Sequence, residues 1–492
     1  MRFLHPRRQM LPPVATEFAY LAGMEGIPWE STNRWEESIL VIERAIDESG
    51  NLYIPWEVEG HGQLVLSTAS LMERDEAYHL PLELARGTLN RIRNYAAEWS
   101  QAGMLVSENL QAKLAAARTD FVNAATIQER AQDAAEMAEA SIRSGLDAME
   151  LLGHEFSQQM LRQRHERETH IPALLGAEIP TLPLTGTETE HFQATFNAAT
   201  IPIRWRDLEP NPGEYSWDSI DQRVQWCLES GLRICIGPLV SLDEANLPDW
   251  IYLWEDDSDD IQATILRMVE AVVQRYQDRT HIWHSAARLN IPGVLSLSEE
   301  QRLQLAVATL STIRRTDRNT PMTISFDQPW GEYMARELLG LSPLHFADAL
   351  VRADLGLAGI GLELNLGYWP HGSLYRDLLE INRLLDRWYS LGLPLLTFLS
   401  APSSNATDSL ATLTAQPLPI ASGDSPNLTS QAAFVDRLIP LLLAKHSVHG
   451  IFWNQLSDSI EHRFPNGGLF DQNRTPKPIL SRLAELRQGH LR

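Results

Sequence analysis

The chain has 492 residues, 44% of them apolar, and a formal net charge of −23. Its length predicts two or three domains with ample material for a large core. So acidic a surface repels nucleic acid and anionic lipid, which excludes both as expected partners, and no run of about 18 apolar residues predicts a membrane span.

The N-terminus, MRFLHPRRQMLPPVATEF, is basic but lacks an apolar h-region. A cytoplasmic protein is therefore the expectation, with export by another route left open. Residues 1–75 read as a small β-rich module. Ser38–Ile46, Asn51–Val58 and Gln63–Ser70 carry strand-like apolar residues, and Asp47 to Gly50 supply a turn. Such a module is structural in the first reading and sugar-binding in the second. Residues 76–171 read as a helical connector. Leu82, Ala85, Leu89, Ile92, Ala96 and Trp99 recur at helical spacing. A second helix is predicted over Glu108–Phe121, and a long third one over 127–168. On the third, Ile142, Leu146, Met149, Gly153, Phe156 and Met160 form one stripe. That helix packs on its neighbours in the first reading and serves as a homo-oligomerisation arm in the second.

From residue 172 to 492 the pattern alternates strand and helix. Predicted strands are Ala173–Ile179, Thr200–Trp205, Arg233–Val240, His281–Ala287, Met322–Phe326, Ala358–Asn365, Pro394–Ser400 and Gly450–Gln455. Helices are predicted between most of them, including Asp218–Ser230, Ile261–Tyr276, Ser298–Thr316, Tyr375–Leu391 and Ser430–Lys445. Eight such units predict an α/β fold, a (β/α)8 TIM barrel, preceded by the β-rich module and the helical connector. No Gly-rich phosphate fingerprint follows any strand. Cys227 and Cys235 lie in apolar contexts and read as buried thiols. His281 and His284 lack a third metal ligand. The acidic run Glu255–Asp260 lacks the spacing of a calcium loop and reads as a solvated helix start. No cofactor or metal is expected.

In such a barrel the site is built at the C-terminal ends of the strands. There the sequence places Arg204, Trp205, Trp283, Arg288, Asp327, Gln328, Trp330, Glu332, Glu363, Asn365, Tyr368, Trp369, Trp453, Asn454, Gln455 and Asp458. Flat aromatic faces stack on pyranose rings, and amides and carboxylates bind ring hydroxyls. The mixture points to an oligo- or polysaccharide. The alternative is that the tryptophans only close the barrel.

Residues 172–490 resemble glycoside hydrolase family 10, the retaining β-1,4-xylanase barrels. The segment Phe196–Trp217, FNAATIPIRWRDLEPNPGEYSW, resembles that family's second-strand region. Gly231–Trp250 is similar to its third strand. Gly450–Pro478, with Trp453, Gly468-Leu469-Phe470-Asp471 and Pro476-Lys477-Pro478, is similar to its closing strand. The resemblance implies a glycan ligand such as xylan. A retaining glycosidase needs two carboxylates ~5–5.5 Å apart. The family's acid/base pattern, Trp-Asp-Val-Val-Asn-Glu, reads here Trp283-His284-Ser285-Ala286-Ala287-Arg288. Its nucleophile pattern, Thr-Glu-Leu-Asp, reads Thr397-Phe398-Leu399-Ser400. Its third-strand histidine aligns with Gly237, and its sixth-strand Gln and His with Glu363 and Asn365.

Two readings follow. In one, the catalytic carboxylates have moved, with Glu363, Asp327 and Glu332 as candidates. Against this, Glu363 could simply pair with Arg204 or Arg288, and Glu332 could open a helix. In the other, the barrel is a pseudo-enzyme or scaffold. It then binds glycan through Arg204, Trp205, Trp283, Arg288, Gln328, Trp330, Asn365, Tyr368, Trp369, Trp453 and Asp458, with a uronate as one conceivable ligand of Arg288.

Overall fold

The computed structural model describes every residue except 8–10, 13, 181–183, 255–257, 338, 421–424 and 492. Glu255, Asp256 and Asp257 of the acidic run thus lie outside the described residues. Asp259 and Asp260, which follow it, sit in the first turn of the helix Ser258–Tyr276.

Eight parallel strands close into a barrel. In chain order they are Leu174–Glu178, Ala198–Ile201, Arg233–Ile236, Ile282–Ala287, Met322–Asp327, Leu357–Asn365, Leu395–Ser400 and Val448–Trp453. The eighth pairs with the first, Gly450 opposite Leu174 and Trp453 opposite Ala177. The second and third strands stop well short of their predicted ends, each for a local reason. Pro202 has no N–H for the ladder, so the second strand ends at Ile201 and Trp205 opens a short helix. The third ends before Gly237, whose φ is +125° and whose Cβ, if it had one, would sit 2.1 Å from the His284 carbonyl oxygen. The helices are placed by their caps. Ser298 and Gln301 form a capping box before Glu299–Thr316, and Asp377 caps Leu378–Tyr389.

The N-terminal module holds two small sheets among the described residues. One orders Thr32–Glu36, Ile39–Glu43, Arg2–Leu4 and Tyr78–His79; the other orders Tyr20–Ala22, Asn51–Val58 and Gly62–Ser67. The edge strand Tyr78–His79 runs straight into the helix Leu80–Gln101. The helices Glu108–Thr126 and Ala131–Arg167 follow. The predicted stripe of the long helix is covered by its own chain. Phe156 stacks on Trp99 with ring centroids 3.9 Å apart, and Gly153 lies against Leu378 of a barrel helix. Arg164 donates to the carbonyls of Leu443 and Lys445, closing the C-terminus of the helix Leu428–Ala444. No helix among the described residues is long and apolar enough to cross a membrane. Cys227 and Cys235 are both free and buried.

The module docks on the loops that follow the fifth and sixth strands. Ser31 N–H donates to Ala335 O at 3.1 Å, and Val65 N–H to Tyr375 O at 2.8 Å. At the centre Arg376, fully buried, pairs with fully buried Glu332 at 3.1 Å and donates to the Tyr20 hydroxyl at 3.0 Å. Its guanidinium covers the Trp330 ring, 4.5 Å from the centroid. Removing one member of a buried pair leaves the other charge uncompensated. Glu332→Leu should therefore lower stability by about 3–5 kcal/mol in urea denaturation. A loss below about 1 kcal/mol, the value typical of exposed pairs, would mean the pair does not hold this interface.

Candidate functional site

A cavity of about 470 Å³ opens at the C-terminal mouth of the barrel. Its lining draws on all eight strand ends: Glu178, Arg204, Asp243, Arg288, Asp327, Glu363, Phe398 and Asn454 in chain order, with Arg463 from the loop after the eighth strand. Its floor is a lattice of arginines and carboxylates.

Arg288 is the hub. Its Nε and Nη2 both donate to Asp243 Oδ2, at 3.0 and 2.6 Å, and Nη2 also donates to Ser241 Oγ at 2.7 Å. Nη1 donates to both oxygens of Glu363, at 3.0 and 3.1 Å. Each guanidinium nitrogen is thus held by a protein oxygen. Arg463 adds a second fork, Nη1 to Glu363 at 3.2 Å and Nη2 to Asp327 at 3.2 Å. Glu363 Oε1 also accepts from Ser325 Oγ at 2.8 Å, and Ser325 in turn contacts His284 Nε2 at 2.9 Å. Asn365 Nδ2 lies 3.1 Å from Asp327 and 3.5 Å from Glu363, so both carboxyls share one small floor.

The environment divides the carboxyls. Burial would raise Glu363, but Arg288 and Arg463 outweigh it and hold its carboxyl below the ordinary value. Asp243 follows the same balance and lies well below the carboxylate range. At Asp327 burial wins over Arg463, and its pKa rises to about 6. Burial likewise raises Glu178, at the end of the first strand, to about 7, against Arg204, Arg223 and Arg288. Glu178 makes no side-chain hydrogen bond among the described residues. Burial lowers His284 to about 4, so its ring is neutral. Three residues lining the cavity hold left-handed backbone: Arg288 at φ 64°, Gln328 at 46° and His371 at 73°. For such side chains this costs on the order of 1–3 kcal/mol each, and it persists only where the surroundings enforce it.

The predicted site residues divide sharply. Arg204, Arg288, Asp327, Gln328, Glu363, Asn454 and Gln455 line the cavity. Asn365 lies just beneath it, its Oδ1 accepting from Asn454. Glu363 pairs with Arg288, as one reading allowed, while Arg204 bonds Glu461 at 2.9 Å instead. The remainder sit elsewhere, which corrects the picture of a tryptophan-lined rim. Trp205 is buried, donates to Glu209 at 2.7 Å and meets Trp250 edge-on. Trp283, near the start of its strand, donates to Asp317 at 2.9 Å. Trp453 donates to Gly467 O at 2.8 Å. Trp330 lies under Arg376, together with Glu332. Tyr368 packs on Phe464, and Trp369 sits between Phe18 and Arg336. Asp458 is taken up by Lys477 at 2.5 Å. No tryptophan lines the cavity among the described residues; its rings are Phe398, Phe464, His284, His371 and His462. A uronate carboxylate would have to displace Asp243 or Glu363 from Arg288.

Three central residues escaped the sequence reading: Glu178, Asp243 and Arg463. Glu178 ends the first strand and Asp243 lies in the loop after the third, so both were within reach of that rule. Arg463 sits in a long aperiodic loop and gave no signal. Asp408, Asp458 and His462 come close enough to suggest a metal site. Their donors are already engaged, Asp408 by His462 and the Asn466 N–H, and Asp458 by Lys477.

The Glycosyl hydrolase family 10 model matches residues 169–286. No curated protein matches the chain. Xylanase 10B from Thermotoga petrophila RKU-1, in complex with xylobiose, is 17% identical with a TM-score of 0.50, over 67% of this chain and 97% of that one. Native xylanase 10B from Thermotoga maritima is 16% identical, TM-score 0.49, over 67% and 98%. Xylanase B from Clostridium stercorarium F9 is 19% identical, TM-score 0.48, over 66% and 98%. The family resemblance read from the sequence is thus met by the family model over the first half of the barrel. At 17% identity the Thermotoga petrophila structure speaks for the fold alone.

The raised carboxyls give a signed pH dependence. A group whose pKa is raised by folding stabilises below its ordinary value, and that stability is lost as pH rises through the folded value. Glu178 therefore weakens the fold between its ordinary 4.5 and about 7. Glu178→Gln should flatten the fall in Tm across this window and raise Tm relative to wild type at neutral pH. An unchanged profile in calorimetry would show that Glu178 titrates normally.

Proposed function

We propose that the barrel mouth binds a β-linked glycan such as xylan without hydrolysing it by a carboxylate pair. The observation that carries this reading is the Arg288 fork. An acid catalyst must surrender a proton to the leaving oxygen, and arginine does not do so at ordinary pH. A nucleophilic carboxylate needs a free lone pair aimed at the anomeric carbon. Glu363 instead spends both oxygens on Arg288, Arg463 and Ser325. Asp327 accepts from Asn365 and the Gln328 N–H on one oxygen and Arg463 on the other. The position that aligns with the family nucleophile is Phe398, stacked between His284 and Phe452 at 4.9 and 5.4 Å.

What supports binding is the surface that remains. Gln328, Ser400, Asn454, Gln455 and Ser457 present amides and hydroxyls around the cavity, and His371 presents a ring. These suit sugar hydroxyls and the apolar face of a pyranose. The family resemblance and the xylobiose complex of a structural neighbour favour a β-1,4-linked chain.

Glu178 favours a second reading, O-glycosyl hydrolysis with displaced acids. It lines the cavity unbonded, with a pKa suited to general-acid work. One assay separates the two. Incubated with an aryl β-xyloside and with xylan, the protein should release no reducing ends above background while still binding xylo-oligosaccharide in calorimetry. Turnover abolished by Glu178→Gln would establish the second reading. Turnover abolished by Glu363→Gln would contradict the role given to Arg288.

A further inference from the structure

We propose that the mouth is a closed pit that takes the end of a glycan chain, or a free short oligosaccharide, and not the interior of a polymer. This rests on the glycan reading above.

A polymer can lie across a barrel only in a trench open at both sides. Here adjacent loops are joined from the second strand round to the eighth, and one ion pair bridges over the end of the first. The loop after the second strand meets the loop after the third through Arg206 N–H to Asn246 O at 3.0 Å, and the third meets the fourth through Val294 N–H to Leu242 O at 3.2 Å. Asn290 Nδ2 to Asp327 O, 2.9 Å, joins the fourth to the fifth, and Arg376 to Glu332, 3.1 Å, joins the sixth to the fifth. Leu418 N–H to Gly367 O, 2.8 Å, joins the seventh to the sixth. Thr412 N–H to His462 O, 2.8 Å, joins it to the eighth. The ring is completed by Arg204, whose Nη1 reaches Glu461 Oε1 at 2.9 Å and whose Nη2 reaches Glu461 O at 3.1 Å, spanning the end of the first strand. Behind the fifth and sixth loops stands the N-terminal module, with Phe18 against Trp369 at 5.2 Å. The 470 Å³ of the mouth falls within the roughly 300–1,000 Å³ of pockets that bury one small ligand. On this reading it takes roughly two or three sugar rings and leaves a longer chain only one way out, upward from the mouth.

The test is calorimetric titration with β-1,4-xylobiose, xylotriose, xylohexaose and soluble xylan. Affinity should stop rising at the trisaccharide, with xylotriose and xylohexaose within about threefold, under 1 kcal/mol. Binding to xylan should follow the concentration of chain ends and not of chain length. Arg204→Ala combined with Glu461→Ala, which cuts the strap, should restore preference for the hexasaccharide. A tightening of about tenfold or more from tri- to hexasaccharide in the wild type, or several proteins per xylan chain, would overturn the pit. Absence of binding to every sugar would instead defeat the glycan reading itself, a distinguishable result.

Discussion

The floor of the mouth depends on one guanidinium. Arg288 stands at the end of the fourth strand with its backbone in the left-handed region, and its fork spans from Asp243 to Glu363. A buried carboxylate without a partner would protonate or destabilise the fold. With Arg288 and Arg463 beside it, Glu363 stays ionised and its lone pairs are occupied. The same fork that makes Asp243 and Glu363 tolerable in a barrel interior occupies the oxygens a nucleophile would need free.

A second constraint comes from the N-terminal module. Its docking surface is built from the loops after the fifth and sixth strands, which carry Trp330, Glu332, Trp369 and Arg376. Rings and charges that could have faced a ligand are committed to holding the module. The tryptophans nearer the axis are committed too, since each buried indole N–H needs an acceptor. The cavity is left without a tryptophan among the described residues, its rings being Phe398, Phe464 and three histidines. A protein that gripped polymer interiors would want the opposite: a flat aromatic floor and an open groove.

The eight strands were legible because each is a short apolar run bounded by turn residues. Their ends were less so. TIPIRW continues apolar past the point where Pro202 breaks the ladder, and Gly237 stops the next strand by a close approach to His284 that no local pattern reveals. The pairing of Glu363 with Arg288 was foreseeable as an alternative, because both sit at strand ends. The partners that decide its chemistry were not. Arg463 comes from a loop 100 residues away in sequence. The tryptophans misled because residue type says nothing about which way a ring turns. Trp283 and Trp453 find acceptors 34 and 14 residues distant, at Asp317 and Gly467, and those contacts set their orientation.

The most direct measurement is the titration of the Glu363 carboxyl carbon by ¹³C NMR, assigned by comparison with Glu363→Gln, in wild type and in Arg288→Met. A carboxylate clamped by two guanidiniums should remain ionised below the ordinary glutamate value of 4.5 in the wild type and shift upward when Arg288 is removed. A wild-type midpoint above that value, or one that does not move in Arg288→Met, would contradict the account.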